Sequence, residues 1–190
     1  IVSSTPFYGE SGGQVGDRGR IAHARLLVDV SNTLKPIAGL WVHQGSIKDG
    51  KIAVGEQVTL SIDTARRQAT RRNHSATHLL HLALRTTLGE QSTQKGSVVS
   101  PERLRFDFTY DRSVSSEHLQ TIERLVNERI LANTPVRTEV LTMDQARERG
   151  AMMIFEEKYG DVVRMLSMAE SVELCGGTHV RATGDIGLFK

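Results

Sequence analysis

Residues 63–89 read DTARRQATRRNHSATHLLHLALRTTLG. Asp63 is a good helix cap and no Gly or Pro follows until Gly89, so the stretch predicts a single helix of about 26 residues, or roughly 39 Å of rise. The residues before it have a different character. Val58-Thr59-Leu60-Ser61-Ile62 alternates with a period of two, residues 21–30 and 37–42 are strand-like, and Asp49-Gly50 and Val54-Gly55 are turn formers. The switch at Asp63 is therefore read as a boundary between a β subdomain over residues 1–62, packed as a small barrel or sandwich, and a second domain over residues 63–190. Beyond the helix, residues 96–99 and 104–108 read as strands. A second helix over about 115–132 stops before Thr134-Pro135, because the residue preceding a proline is pushed out of the helical region. Residues 136–141 form another strand, and Thr142-Met143-Asp144-Gln145 has the spacing of a capping box opening a short helix that Gly150 terminates. Residues 162–168 and 172–175 are again strand-like. The expected class is α+β: a small N-terminal β-barrel subdomain, then a mixed α/β domain with a long helix packed on an antiparallel sheet.

The composition removes several alternatives. With 190 residues and 38% hydrophobic side chains, the chain can bury a modest core as one domain or two small ones. No apolar run approaches the roughly 18 residues needed to cross a bilayer; the richest, Leu79-Leu80-His81-Leu82-Ala83-Leu84, is short and interrupted by histidine. A lone Cys175 cannot close an internal disulfide, which excludes a disulfide scaffold and fits a reducing, cytoplasmic compartment. The chain opens Ile1-Val2-Ser3-Ser4, with neither an initiator Met nor a signal-peptide pattern, and so reads as part of a longer protein. The formal net charge is only +2, but it is unevenly spread: between Asp63 and Phe106 there are eight basic residues and three acidic ones. Arg66, Arg67, Arg71 and Arg72 form either a solvated helix face, which charge patterning alone favours, or a set of phosphate contacts, which needs other evidence.

Two short segments carry metal-capable chemistry. The long helix contains His74-Ser75-Ala76-Thr77-His78, and Cys175-Gly176-Gly177-Thr178-His179 lies near the other end of the chain. Helical positions four apart lie on one face, so His74 and His78 can point two imidazoles at one ion. Gly176-Gly177 lets the backbone bend the flanking Cys175 and His179 toward a common point. One thiolate and three imidazoles suit a tetrahedral Zn2+, with bonds of about 2.0–2.3 Å. His81 lies on the same side of the helix, so spacing leaves open which two of the three histidines take part. A structural zinc and a catalytic one both remain, although purely structural sites are usually richer in cysteine. A nucleophilic Cys175 activated by His179 would leave the helical pair without a role. A zinc protease is disfavoured, because Ser75 stands where such a motif places its glutamate.

The N-terminal stretch Thr5-Pro6-Phe7-Tyr8-Gly9-Glu10-Ser11-Gly12-Gly13-Gln14-Val15-Gly16-Asp17-Arg18-Gly19 holds five glycines in fifteen residues and lacks the Gly-Lys-Ser/Thr ending of a nucleotide P-loop. This loop, the helical histidines, Gln94-Lys95-Gly96-Ser97, Leu104-Arg105-Phe106-Asp107-Phe108 and the segment over 174–180 occur in one order along essentially the whole chain. Together they resemble the editing domain of alanyl-tRNA synthetase and its freestanding trans-editing relatives. The resemblance implies hydrolysis of Ser-tRNA(Ala) and Gly-tRNA(Ala) with Ala-tRNA(Ala) spared. It implies zinc held by His74, His78, Cys175 and His179, with Thr77, Gln94 and Ser97 at pocket positions. Its partners would be the acceptor end of tRNA(Ala), met through the four arginines, and the remainder of a synthetase chain. The alternatives are a non-catalytic, zinc-stapled RNA-binding module, a freestanding trans-editing protein, and the editing domain of threonyl-tRNA synthetase, which the glycine-rich loop speaks against.

Overall fold

The computed structural model describes residues 2–153 and 160–190. Four strands come first: β1 (Gly19–His23), β2 (Leu26–Ile37), β3 (Leu40–Gly50) and β4 (Thr59–Ile62). They are followed by α1 (Thr64–Leu88), β5 (Gln94–Val99), β6 (Leu104–Phe108), α2 (Ser116–Leu131), β7 (Arg137–Thr142) and α3 (Met143–Glu148). The last elements are β8 (Val162–Met168), β9 (Ser171–Leu174) and a 3-10 turn at Thr183–Ile186.

α1 forms where local signals place it. The Asp63 carboxylate accepts the Arg66 N–H at the start, and Gly89, at φ 106°, closes the end by donating its N–H to Arg85. The capping box expected at Thr142 is present: Thr142 Oγ1 accepts from Gln145 N, and Gln145 Oε1 accepts from Thr142 N. α2 is capped by Ser115 and presents Ile122, Val126 and Ile130, spaced by four, to the core. They pack against Leu79, Ala83, Leu84 and Leu88 of α1 and Leu166 and Met168 of β8. The long helix is thus covered on one face by a second helix and by strands of the C-terminal half.

Among the described residues there are three antiparallel sheets, ordered β3-β2-β1-β4, β5-β6 and β7-β8-β9. The expected barrel is not closed. β3 and β4 are the free edges of the first sheet, and the four residues of β4 cannot pair along the eleven of β3, whose distal half is exposed. That sheet covers a small core of Phe7, Ile21 and Val30, with Val28, Val58, Leu60 and Ile62 against it. Two strand expectations are corrected by turns. The run over 21–30 is split at Ala24-Arg25 into β1 and β2, and the run over 37–42 is split at Ala38-Gly39, where Gly39 takes φ 78°.

The glycine-rich loop lies between the two halves of the chain. Val15 N–H donates to Val99 of β5, Val99 N–H donates back to Gly13, and Asp63 N–H donates to Arg18. Asp17, almost fully buried, accepts from the Tyr8 N–H and from the Arg67 guanidinium of α1, which also reaches the Pro6 carbonyl. No described helix is long and apolar enough to cross a membrane. Removing one member of a buried ion pair strands the other, so Arg67→Ala is expected to lower stability by about 3 kcal/mol in chemical denaturation. The same change at the exposed Arg112 is expected to cost less than about 0.5 kcal/mol.

Candidate metal centre

His74 and His78 stand one turn apart on the buried face of α1, their rings 5.2 Å apart and nearly parallel, inclined by 12°. Cys175 follows directly on β9, and His179 lies four residues later. Arg164 of β8 shapes the segment between them, donating from Nη1 to the carbonyls of Cys175 at 3.0 Å and Gly177 at 2.7 Å. A Cβ at Gly177 would lie 2.0 Å from the His74 ring, so only glycine lets the loop come this close. Val180 N–H donates to the fully buried Ser75 hydroxyl, and Arg71 Nε donates to the His179 carbonyl. Ser75, where a protease motif would carry its base, stitches the ligand helix to the ligand loop.

The four donor atoms lie within 4.8 Å of one another. Cys175 Sγ is 3.5 Å from His74 Nε2 and 3.4 Å from His179 Nε2, and His78 Nε2 is 3.2 Å from His179 Nε2. A tetrahedral ion with nitrogen bonds of about 2.05 Å and a sulfur bond of about 2.3 Å sets edges of about 3.3 Å between nitrogens and about 3.6 Å between sulfur and nitrogen. These three edges and the donor chemistry fit a divalent ion of that kind and are compatible with zinc. His81 lies outside the cluster, against Phe106 and near Glu173, and this settles which helical histidines converge.

Two residues behind the cluster set its chemistry. His74 Nδ1 is 2.7 Å from Gln14 Oε1, and His78 Nδ1 is 2.9 Å from Glu173 Oε2. Each oxygen acceptor holds the ring proton on Nδ1 and leaves the Nε2 lone pair facing the centre. Gln14 is fully buried and does more. Its Oε1 also accepts the Thr178 N–H, and its Nε2 donates to Thr178 Oγ1, both at 2.9 Å. One carboxamide of the glycine-rich loop thus ties the helical ligand to the loop bearing the other pair.

The electrostatics are those of a site short of positive charge. Burial pushes the Cys175 thiol up, but His74 and His78 and the hydrogen bonds from His179 and His74 outweigh it and hold it well below the ordinary thiol value. Burial opposes charge on His78, yet Glu173 and Cys175 raise its pKa to about 10. Glu173 is pushed up by its own burial, but His78 holds it well below the usual carboxylate range. His179 is lowered to about 3, mainly by burial. Without a metal ion, a proton on His78 offsets one of the two negative charges of the thiolate and the carboxylate; a bound divalent cation would offset both with His78 neutral.

The other sequence-selected residues are placed as follows. Gln94 and Ser97 are together on β5, with Gln94 Nε2 donating to Ser97 Oγ at 3.0 Å, and Gly13 of the glycine-rich loop packs against Ser97. Thr77 precedes His78 on α1 and donates its hydroxyl to the Asn73 carbonyl. Arg66 pairs with Glu102, and Arg67 with Asp17. Arg71 is joined to His179, and the Arg72 side chain makes no hydrogen bond or ion pair among the described residues. Gln14 and Glu173 were not singled out from sequence. Glu173 carried a faint signal, because Ser171, Glu173 and Cys175 alternate along one strand face; Gln14 carried none beyond being the carboxamide among the glycines.

Two family profiles match the chain: tRNA synthetases class II (A) over residues 1–66, and threonyl and alanyl tRNA synthetase second additional domain over residues 163–190, which contains Cys175 and His179. Alanine–tRNA ligase of Sorangium cellulosum is 61% identical over 191 residues, covering 100% of this chain and 21% of the relative. That of Anaeromyxobacter dehalogenans is 54% identical over 190 residues, covering 100% of this chain and 21% of the relative. The chain belongs to the alanine–tRNA ligase family. The enzyme of Mesorhizobium japonicum is 50% identical over 201 residues, covering 100% of this chain and 23% of its own length, so the chain spans about a fifth of the relatives it matches.

Loss of a second layer of metal ligation typically costs 10- to 100-fold in affinity. Gln14→Leu is expected to weaken divalent-metal binding by about that factor, measured by competition against a chromogenic chelator, with circular dichroism unchanged.

Proposed function

We propose that the chain is the editing unit of an alanine–tRNA ligase, an aminoacyl-tRNA deacylase that hydrolyses Ser-tRNA(Ala) and Gly-tRNA(Ala) and spares Ala-tRNA(Ala). The observation that carries this reading is the convergence of His74, His78, Cys175 and His179, drawn from two distant segments of a chain that matches alanine–tRNA ligases throughout its length. We assign zinc to that centre. When bound it supplies a Lewis acid that can polarise the ester carbonyl or hold the substrate amino group. In this reading residues 1–62 and 63–190 act as two units, the first supplying the glycine-rich loop and the second the ligands. The enzyme works in the cytoplasm, on the acceptor end of tRNA(Ala), within a longer synthetase.

The chain's own residues then account for selection. An aminoacyl ester is already reactive, so the site has chiefly to position it and to discriminate. Serine differs from alanine by one hydroxyl, which a pocket built for alanine rejects weakly by size alone. The Thr77 hydroxyl proton is committed to Asn73, which leaves its oxygen free to accept. The Gln94 amide gives one of its two N–H donors to Ser97, and its Oε1 can accept. Thr77 and Gln94 are therefore pocket groups suited to a substrate that donates, as the seryl hydroxyl does and the alanyl methyl does not.

The test is the time course of deacylation of Ser-tRNA(Ala) beside Ala-tRNA(Ala). The zinc-loaded chain is expected to consume the seryl ester selectively, and Cys175→Ala is expected to slow this by about 100-fold or more while circular dichroism is retained. Equal rates for the two esters, or no hydrolysis by a folded, zinc-loaded chain that binds tRNA, would leave a non-catalytic RNA-binding module.

A further inference from the structure

Beside the metal centre lies a second concavity of about 530 Å³, lined by Gln68, Arg71, Arg72, Val180, Arg181 and Asp185. Its volume is within the range of small-molecule sites, about 300–1,000 Å³. Its walls come from the first half of α1 and from the segment that follows His179. Three guanidinium groups meet one carboxylate there. That carboxylate is already engaged, since Asp185 Oδ2 accepts the backbone N–H groups of Arg181 and Ala182, both at 3.2 Å. The side chains of Arg72 and Arg181 make no hydrogen bond or ion pair among the described residues.

Arg71 fixes where an anion would sit. Its Nε donates to the carbonyl of His179, whose ring nitrogen is part of the metal cluster, and its Nη1 leans on Gln68 Oε1 at 3.4 Å. The remaining guanidinium edge and the two unpartnered arginines are left for a ligand. An anion held there lies one side chain away from the centre. We infer that this cavity binds a backbone phosphodiester of an RNA 3′ end, through Arg71, Arg72 and Arg181, and so sets the reach of that end into the metal centre.

Guanidinium forks match phosphate oxygens in geometry and stay charged at every working pH. A polynucleotide is favoured over a lone anion because it alone joins a phosphodiester to a ribose that can extend to the neighbouring centre. Of the four arginines read as phosphate contacts in the sequence, this assigns Arg71 and Arg72, adds Arg181, and leaves Arg66 and Arg67 to Glu102 and Asp17. That the RNA is a charged tRNA rests on the function proposed above; the anion site does not.

The probe is a labelled RNA hairpin with a single-stranded 3′ end, titrated with the zinc-loaded chain at several KCl concentrations and read by fluorescence anisotropy. Arg72→Gln combined with Arg181→Gln is expected to weaken binding at least tenfold at low salt. The slope of log affinity against log salt should become shallower by about 0.7 if the two share one phosphate, or about 1.4 if they hold two. Arg112→Gln, remote and exposed, is the control. Affinity and slope matching the control would overturn the proposal. So would a cavity that binds inorganic phosphate, seen as thermal protection lost in the double variant, while RNA binding ignores both arginines; that result would make it a free-anion site. Intact, arginine-dependent RNA binding without ester hydrolysis would count against the deacylase reading and support this site.

Discussion

A thiolate and a carboxylate buried within a few ångströms of three imidazoles demand positive charge at their centre. Glu173 is almost fully buried and Cys175 partly so, their surroundings favour the ionised form of each, and a buried charge left unpaired costs several kcal/mol. A proton on His78 meets half of that demand and a divalent metal ion meets all of it. A divalent ion would do so with all four donors, because the helix, the loop after β9 and the Gln14 clamp bring them within 4.8 Å of one another, three of the six separations already being those of a tetrahedron's edges. The rest of the architecture serves that convergence: Ser75 holds Val180, Arg164 holds the Cys175 and Gly177 carbonyls, and Gly177 gives way to the His74 ring.

The glycine-rich loop has a defined place in this arrangement. It hydrogen-bonds to β5 through Gly13 and Val15, receives Arg67 of α1 at Asp17, and ends in the first strand of the N-terminal sheet. It therefore lies against Ser97 and His74 at once. Glycines 13 and 177 are needed for close approach and not merely for turning: a side chain at either would collide with Ser97 or His74. A loop of this composition looks like a linker in sequence, yet here it is the piece that joins the two halves of the fold.

What could be read from sequence was what local physics decides. The 25 residues of α1 follow from a cap, an uninterrupted run and a terminating glycine, and the capping box at Thr142 and the four spacing of α2 follow from the same kind of signal. The two ligand pairs were legible because each is compact: four residues apart, on a helix in one case and around two glycines in the other. The barrel was not, because closure depends on whether distant edges meet, and β4 is too short to reach along β3. Gln14 and Glu173 escaped for a related reason. Each acts through a contact 60 or more residues away, which no spacing rule records. Charge runs likewise give the number of arginines but not their partners, so Arg66 and Arg67, bound to acids, were indistinguishable from Arg72, which is free to meet a ligand.

The central claim is that one metal ion is bound by residues from two segments about a hundred positions apart in this chain. X-ray absorption at the zinc edge of the purified, zinc-loaded protein tests it most directly. The expected first shell is three nitrogens at about 2.0–2.1 Å and one sulfur at about 2.3 Å, at one equivalent per chain, with the sulfur contribution absent in Cys175→Ala. A shell without sulfur in the wild-type chain, or binding well below one equivalent, would contradict it.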